Sequence, residues 1–309
     1  MSGMAINRGD FTDTWQVETG GSIECSSEPA FTFRSHTVPP IPVLVASPHS
    51  GRAYPSELLE NARDPDVLRR RLEDRYVDKI AHQISAELGA SLLVANASRA
   101  MLDLNRSEHD IDWAMVAEVP KDKRREVPST RRARSGLGLV PRRLPGTGEL
   151  WRGPLRLERL NARINGIHRP YHSKIASELE RLREFWGFAI LFDLHSMPPI
   201  TSREAIEFVL GDRFGVSCAP SLSCDIENFL RSHGRRVSRN RPYSGCYVLD
   251  RHGRPRKGLH AVQVEVCRSI YLDSRLDRTT AKMPAVATLL ANALRAALAG
   301  MTDVGLAAE

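Results

Sequence analysis

The run "AILFDLHSMPP", residues 189 to 199, does more than any other stretch to limit what this chain can fold into. Ala189, Ile190, Leu191 and Phe192 are all apolar, so neither side of the segment suits contact with water. Such a run fits a strand covered on both faces, as in a sheet between two helix layers. Pro198 and Pro199 lack the N–H that a ladder needs, so the strand has to stop before them. The run also ends in Asp193 and His195, a carboxylate and an imidazole two residues apart. This pattern predicts His195 just past the carboxyl end of a buried strand, the edge where open α/β sheets bind ligands. Read alone, it better fits a histidine that caps a turn and bonds to backbone.

Strand-like and helix-like segments alternate along the rest of the chain. "IPVLVASPHSG" (41–51) reads as a short buried strand and a Pro-His-Ser-Gly turn. Residues 64–90 read as one helix, with Leu72, Tyr76, Val77, Ile80, Ile84 and Leu88 as its apolar stripe and Gly89 as its C-cap. Strands are expected at 91–97, 188–193 and 205–212, and helices at 219–232 and 277–299. Two helical pieces divided near Pro170 are expected over 155–187. In "HAVQVEV" (260–266), Ala261, Gln263 and Glu265 lie on one side and valines on the other. The alternation predicts an α/β fold with a mixed, mostly parallel sheet. Residues 1–38 read as a polar N-terminal extension, 39–309 as a single α/β domain, and about 119–150 as a basic inserted loop.

Charge narrows the choice of partners. The net charge is +7, and residues 121–143 hold nine Lys or Arg against two acids. Such a patch suits anions, but without interleaved aromatics to stack on bases nucleic acid ranks last among them. A solvated loop is the plain reading of the stretch, and arginines holding a small anionic substrate come next. No uninterrupted apolar run nears the ~18 residues of a membrane span. The first fifteen residues lack the layout of a secretory signal. Five cysteines without CxxC spacing suit reduced thiols, so a cytoplasmic protein is expected.

Three polar residues stand out at strand ends: His49, His195 and Glu265. Two histidines and a carboxylate are the usual supply of a catalytic zinc, and a further carboxylate can serve as general base. Each has a plain alternative: His49 packed in its turn, Glu265 facing solvent or paired with Arg268. Asp74 and Asp78, four apart, read by default as a solvated helix face. There is no HExxH, GxSxG, GxxxxGK[ST] or GxGxxG signature, so the ligands must converge from distant positions.

Nine stretches, taken in order, carry a resemblance: "SPHSGRAYP", "DRYVDKI", "SRAMLDLNR", "GLGLVPRR", "RPYHSKI", "LFDLHSMP", "LGDRFGVSC", "RPYSGCYVLDRHG" and "GLHAVQVEVCRSIYLD". Spread from about residue 40 to 275, they resemble the N-formylglutamate amidohydrolase family. The resemblance implies a fold related to the zinc carboxypeptidases, a three-layer sandwich with about eight strands between helices. It implies hydrolysis of N-formyl-L-glutamate, a small anionic N-acyl amino acid, to formate and glutamate in histidine degradation. It also implies one catalytic zinc, with His49 and His195 as ligands, Asp74 as the carboxylate ligand (Asp78 as fallback) and Glu265 as general base. Asp193 would orient a ligand imidazole, and Asn105, Arg106, Arg142 and Arg213 would bind the substrate's carboxylates. Gly245-Cys246 departs from the family's glycine pair and bears on substrate choice. The alternatives are a carboxypeptidase-like or deacylase reaction on another N-acyl amino acid, and a basic binding protein with structural histidines.

Overall fold

The computed structural model describes residues 15–120, 130–200 and 205–306. Eight strands form one sheet: β1 (Trp15–Gly20), β2 (Phe31–His36), β3 (Val43–Ser47), β4 (Ser91–Ala95), β5 (Ala189–Met197), β6 (Phe208–Gly211), β7 (Val237–Arg239) and β8 (Leu259–Cys267). Their order is β1-β2-β4-β3-β5-β8-β6-β7. The centre, β4-β3-β5-β8, is parallel throughout; β1, β2 and β6 join their inner neighbours antiparallel, and β7 runs parallel to β6.

Seven helices matter for the layers: α1 (Pro65–Leu72), α2 (Val77–Leu88), α3 (Leu157–Arg163), α4 (Arg169–Trp186), α5 (Pro220–Ser232), α6 (Tyr247–His252) and α7 (Met283–Leu306). Leu160 of α3, Ile175 and Leu179 of α4 and Leu249 of α6 share one core with Leu44, Leu191 and Ala261. Ile80 of α2, Ile226 of α5 and Leu290 of α7 share the opposite core with Val45, Phe192 and Val264. The result is the expected three-layer α/β sandwich. Each fully buried Leu, Val or Phe contributes about 1.5–3 kcal/mol of transfer free energy.

The two-residue period of a strand places the chemistry. Leu191, Asp193 and His195 succeed one another on the α3/α4/α6 face of β5, as Ala261, Gln263 and Glu265 do on β8. These strands pair in parallel, with Asp193 opposite Gln263 and His195 opposite Glu265. The face that starts as core therefore becomes a polar platform at the carboxyl edge.

Several elements depart from expectation. Part of the expected N-terminal extension, residues 15–36, forms β1 and β2 and extends the sheet antiparallel. Alternate side chains of β2 (Phe31, Phe33, Ser35) are buried, a half-buried pattern that a polar reading overlooks. The single helix at 64–90 is two, broken at Glu73–Tyr76, where Tyr76 is left-handed (φ 56°). The break is held by Asp74 N–H donating to His49 O (2.9 Å) and the Arg268 guanidinium donating to Glu73 O (2.6 Å). Strand β5 runs on to Met197, so His195 lies inside the strand rather than past its end. Pro170 does not divide the helices, because a π-helical turn at Ile164–His168 joins α3 to α4.

Residues 121–129 of the basic loop lie outside the described residues. The part that follows is anchored rather than solvated, since Leu139, Val140 and Leu150 enter the α3/α4 core. Met283–Met301 of α7 is long and apolar enough to cross a membrane by composition alone (mean hydropathy 1.3), yet it packs on α2 and α5. All five cysteines are free thiols.

Candidate active site

Three chain segments bring His49, Asp74 and His195 together. The turn after β3 delivers His49, the break between α1 and α2 delivers Asp74, and β5 delivers His195. All three side chains are buried. One donor atom from each lies within 4.8 Å of the other two. His195 Nδ1 is 3.2 Å and His49 Nδ1 3.6 Å from Asp74 Oδ2.

The partners of the remaining nitrogens orient both rings. His49 Nε2 meets Asp103 Oδ1 at 2.7 Å, and His195 Nε2 meets Asp193 Oδ2 at 2.9 Å. A carboxylate only accepts, so each Nε2 carries a hydrogen and donates it. When the rings are neutral, both Nδ1 lone pairs then face a carboxylate oxygen. Three acceptors aimed at one another repel unless a proton or a cation lies between them. Among the described residues His49 Nδ1 has no hydrogen-bond partner, although it is buried. A metal ion satisfies that set, and carboxylates behind ligand imidazoles are the usual supporting arrangement.

The electrostatics agree. Burial disfavours the Asp74 carboxylate, yet the neighbouring His195 and His49 imidazoles overcome that and lower its pKa. Burial also opposes charging His195, but Asp193, Asp74 and Glu265 raise its pKa well above 6.5. A site with so much negative potential favours a cation. Arg268, itself buried, donates to Asp74 Oδ1 (3.2 Å) and Ser196 Oγ (3.0 Å), so it fixes Asp74 rather than pairing with Glu265.

Glu265 stands beside His195 on the inner strand β8 rather than in solvent. Burial pushes its carboxyl up to about 7; Asp74 and Asp193 add to this, while His195 and Arg99 oppose it. A carboxyl poised near neutrality suits proton transfer at ordinary pH.

Asp78 lies apart from the cluster, on the first turn of α2, where Arg52 donates to both its oxygens (2.5 and 3.1 Å). Asp193 backs His195 as expected. Asn105 is committed internally: its amide donates to Gln263 Oε1 (3.2 Å) and accepts Val248 N–H (3.0 Å). Arg106 donates to Leu137 O, Asn105 O and Cys246 Sγ. Arg142 is paired with Asp112 (2.7 Å) and Glu149 (3.3 Å), and Arg213 with Asp250 (2.6 Å).

Asp103, Arg99 and Gln263 also line the candidate site, with no role expected for them from the sequence. Arg99 and Asp103 stand four apart in "SRAMLD" and pair at 2.9 Å, a spacing visible in the sequence. Alternation alone puts Gln263 on the face of Glu265 and assigns it no role.

Comparison with known proteins gives a consistent result. Residues 41–272 match the sequence profile of N-formylglutamate amidohydrolase. An N-formylglutamate deformylase of Pseudomonas aeruginosa is 30% identical over 250 residues, 76% of this chain and 84% of the relative. One from Pseudomonas putida is 29% identical over 75% of this chain and 82% of its own length. The crystal structure of N-formylglutamate amidohydrolase from Ralstonia eutropha JMP134 superposes with a TM-score of 0.78 at 30% identity, covering 87% of this chain and 97% of that one. The gene product Atu2144 of Agrobacterium tumefaciens shares the fold, with a TM-score of 0.64 at 18% identity over 93% of this chain and 94% of its own.

Proposed function

Since the chain belongs to the N-formylglutamate amidohydrolase family, we propose that it hydrolyses N-formyl-L-glutamate to formate and L-glutamate, a step of histidine degradation in the cytoplasm. One zinc ion would be held by His49, Asp74 and His195. The observation that carries this reading is the convergence of three acceptor atoms, each imidazole backed by a carboxylate, beside a buried glutamate whose pKa is about 7. Two imidazoles and a carboxylate suit zinc, which when bound polarises the formyl oxygen and acidifies water.

The remaining chemistry falls to side chains of this chain. Glu265 takes a proton from the attacking water as its oxygen adds to the formyl carbon. It returns that proton to the amide nitrogen as the C–N bond breaks, and the second proton of the water passes from the formic acid to the released amine, which leaves as ammonium beside formate. Asp103 and Asp193 keep Nε2–H on each ring and Nδ1 turned inward. The substrate's two carboxylates need guanidinium partners, since Arg binds carboxylates through paired N–H groups. Arg106 is the first choice, because it donates to carbonyls and a thiol rather than to acids. Arg142 and Arg213 would first have to release the Asp112, Glu149 and Asp250 carboxylates that hold them.

The test is formate release from N-formyl-L-glutamate by zinc-loaded protein, with and without a chelator. Release abolished by chelator and restored by zinc is the expected result. A zinc-bound protein that releases no formate would keep the hydrolase and discard the substrate.

A further inference from the structure

A chain of side-chain amides runs from the start of α6 to Glu265. Val248 N–H donates to Asn105 Oδ1 at 3.0 Å, Asn105 Nδ2 to Gln263 Oε1 at 3.2 Å, and Gln263 Nε2 to Glu265 Oε1 at 2.9 Å. Asn105, Gln263 and Glu265 are all buried. The direction of the chain follows from its first link. A backbone N–H can only donate, so it must face the oxygen of the Asn105 amide, which turns the Asn105 NH2 towards Gln263. That NH2 in turn must face the Gln263 oxygen, which leaves the Gln263 NH2 for Glu265. Reversing either amide would set two donors or two acceptors against each other in a buried site, at about 1–3 kcal/mol for each unmet group.

We infer that Asn105 and Gln263 are positioning residues that hold the Glu265 carboxylate with Oε1 occupied, leaving Oε2 as the oxygen that takes and returns the proton. The inference rests on the functional reading above and deepens it. With Oε1 already accepting from Gln263, a hydrogen on that oxygen would collide with the amide's own, so the proton resides on Oε2. The amide chain stays satisfied with Glu265 charged or neutral and need not rearrange during turnover.

The same loop serves the other half of the site. Asn105 N–H donates to Asp103 Oδ1 (2.9 Å), the oxygen that also receives His49 Nε2. Loop 103–105 thus aligns a ligand histidine through its backbone and the general base through its side chain. This accounts for Asn105 without any contact to substrate.

The experiment compares Gln263→Leu, the nearly isosteric Asn105→Asp, Glu265→Gln and the double variant Gln263→Leu/Glu265→Gln. In Asn105→Asp the new carboxylate can still accept Val248 N–H, but its other oxygen faces Gln263 Oε1. Gln263 must then turn over and withdraw its donor from Glu265. Each of the first two variants is expected to lower kcat ~10-fold or more, the scale of lost supporting hydrogen bonds. KM for N-formyl-L-glutamate should stay within about twofold and bound zinc at the wild-type level. The double variant should be no slower than Glu265→Gln alone, since Gln263 acts only through Glu265. A raised KM with kcat intact, or losses that multiply in the double variant, would overturn the assignment. A substrate-independent readout stands beside the kinetics: the 15N-labelled Gln263 side-chain amide signal should shift in Glu265→Gln and in Asn105→Asp. If the wild type releases no formate, that spectrum alone decides: shifts retain the amide chain while the substrate reading falls, and unmoved signals discard it.

Discussion

Two groups of buried histidines lie in one layer of this protein, and they are held in opposite ways. His49 and His195 each turn one nitrogen to a carboxylate, Asp103 or Asp193, and the other towards Asp74. His168 and His172, in and after the π-turn, bond instead to the Arg106 and Leu104 carbonyls, at 2.8 and 3.0 Å. His172 Nδ1 then accepts from His252 Nε2 at 3.0 Å. Carboxylates favour the charged ring, and His195 is raised. Burial favours the neutral ring: His172 falls well below 6.5, and His252 falls to about 3 through burial with Arg251 and Arg254 nearby. The lesson is that a buried histidine takes its role from the group behind its second nitrogen. Carboxylates suit one pair to holding a cation; carbonyls make a neutral brace of the other, which ties α4 and α6 to loop 104–106.

The contrast can be broken most severely at His195. His195→Ala should lose bound metal and at least ~100-fold in activity, measured by elemental analysis and formate release. Full metal occupancy in that variant would remove His195 from the ligand set. Glu265→Gln should retain metal and lose roughly 100-fold or more in kcat, the scale of a general base. Asp103→Asn keeps shape but weakens the acceptor behind His49; metal affinity or activity should fall ~10–100-fold. Metal binding unchanged by that substitution would dissolve the distinction between the two histidine groups.

On the neutral side, His172→Leu should leave metal content near wild type and lower unfolding stability by about 1–3 kcal/mol, because Leu104 O and His252 Nε2 lose their partner. Urea titration reads it. The smallest effect at neutral pH is that of His252, which shows only in acid. His252 is depressed in the folded protein, so the unfolded chain binds an extra proton between pH 6.5 and about 3. Its contribution is whole above pH 6.5 and drains as pH falls, at ~1.4 kcal/mol per pH unit. His252→Phe should make the acid side of the stability profile shallower; an unchanged slope would mean that His252 is charged in the fold.

Much of the candidate site was legible in the sequence. His49, His195 and Glu265 were marked as strand-end polar residues in apolar surroundings, and the family resemblance added Asp74. The arginines were not legible in the same way. Arg142 matches a motif position and Arg213 is a further candidate, but a guanidinium is taken by the nearest acid, and Asp112 and Asp250 are near only in space. Asn105 was expected to meet substrate, and its amide instead spans Val248 and Gln263, 143 and 158 residues away in sequence.

The sequence by itself determined which segments are buried on two faces, which strand sides carry polar residues and which residue types can form a metal site. Those properties follow from local pattern: an apolar run, a two-residue period, a proline stop. Only the tertiary structure decided that the helix breaks at Asp74 rather than running through it, that residues 15–36 join the sheet, and that Glu265 is held by amides. Each of these depends on hydrogen bonds between residues distant along the chain. The free energy of such a bond depends on whether burial leaves its partners any other choice.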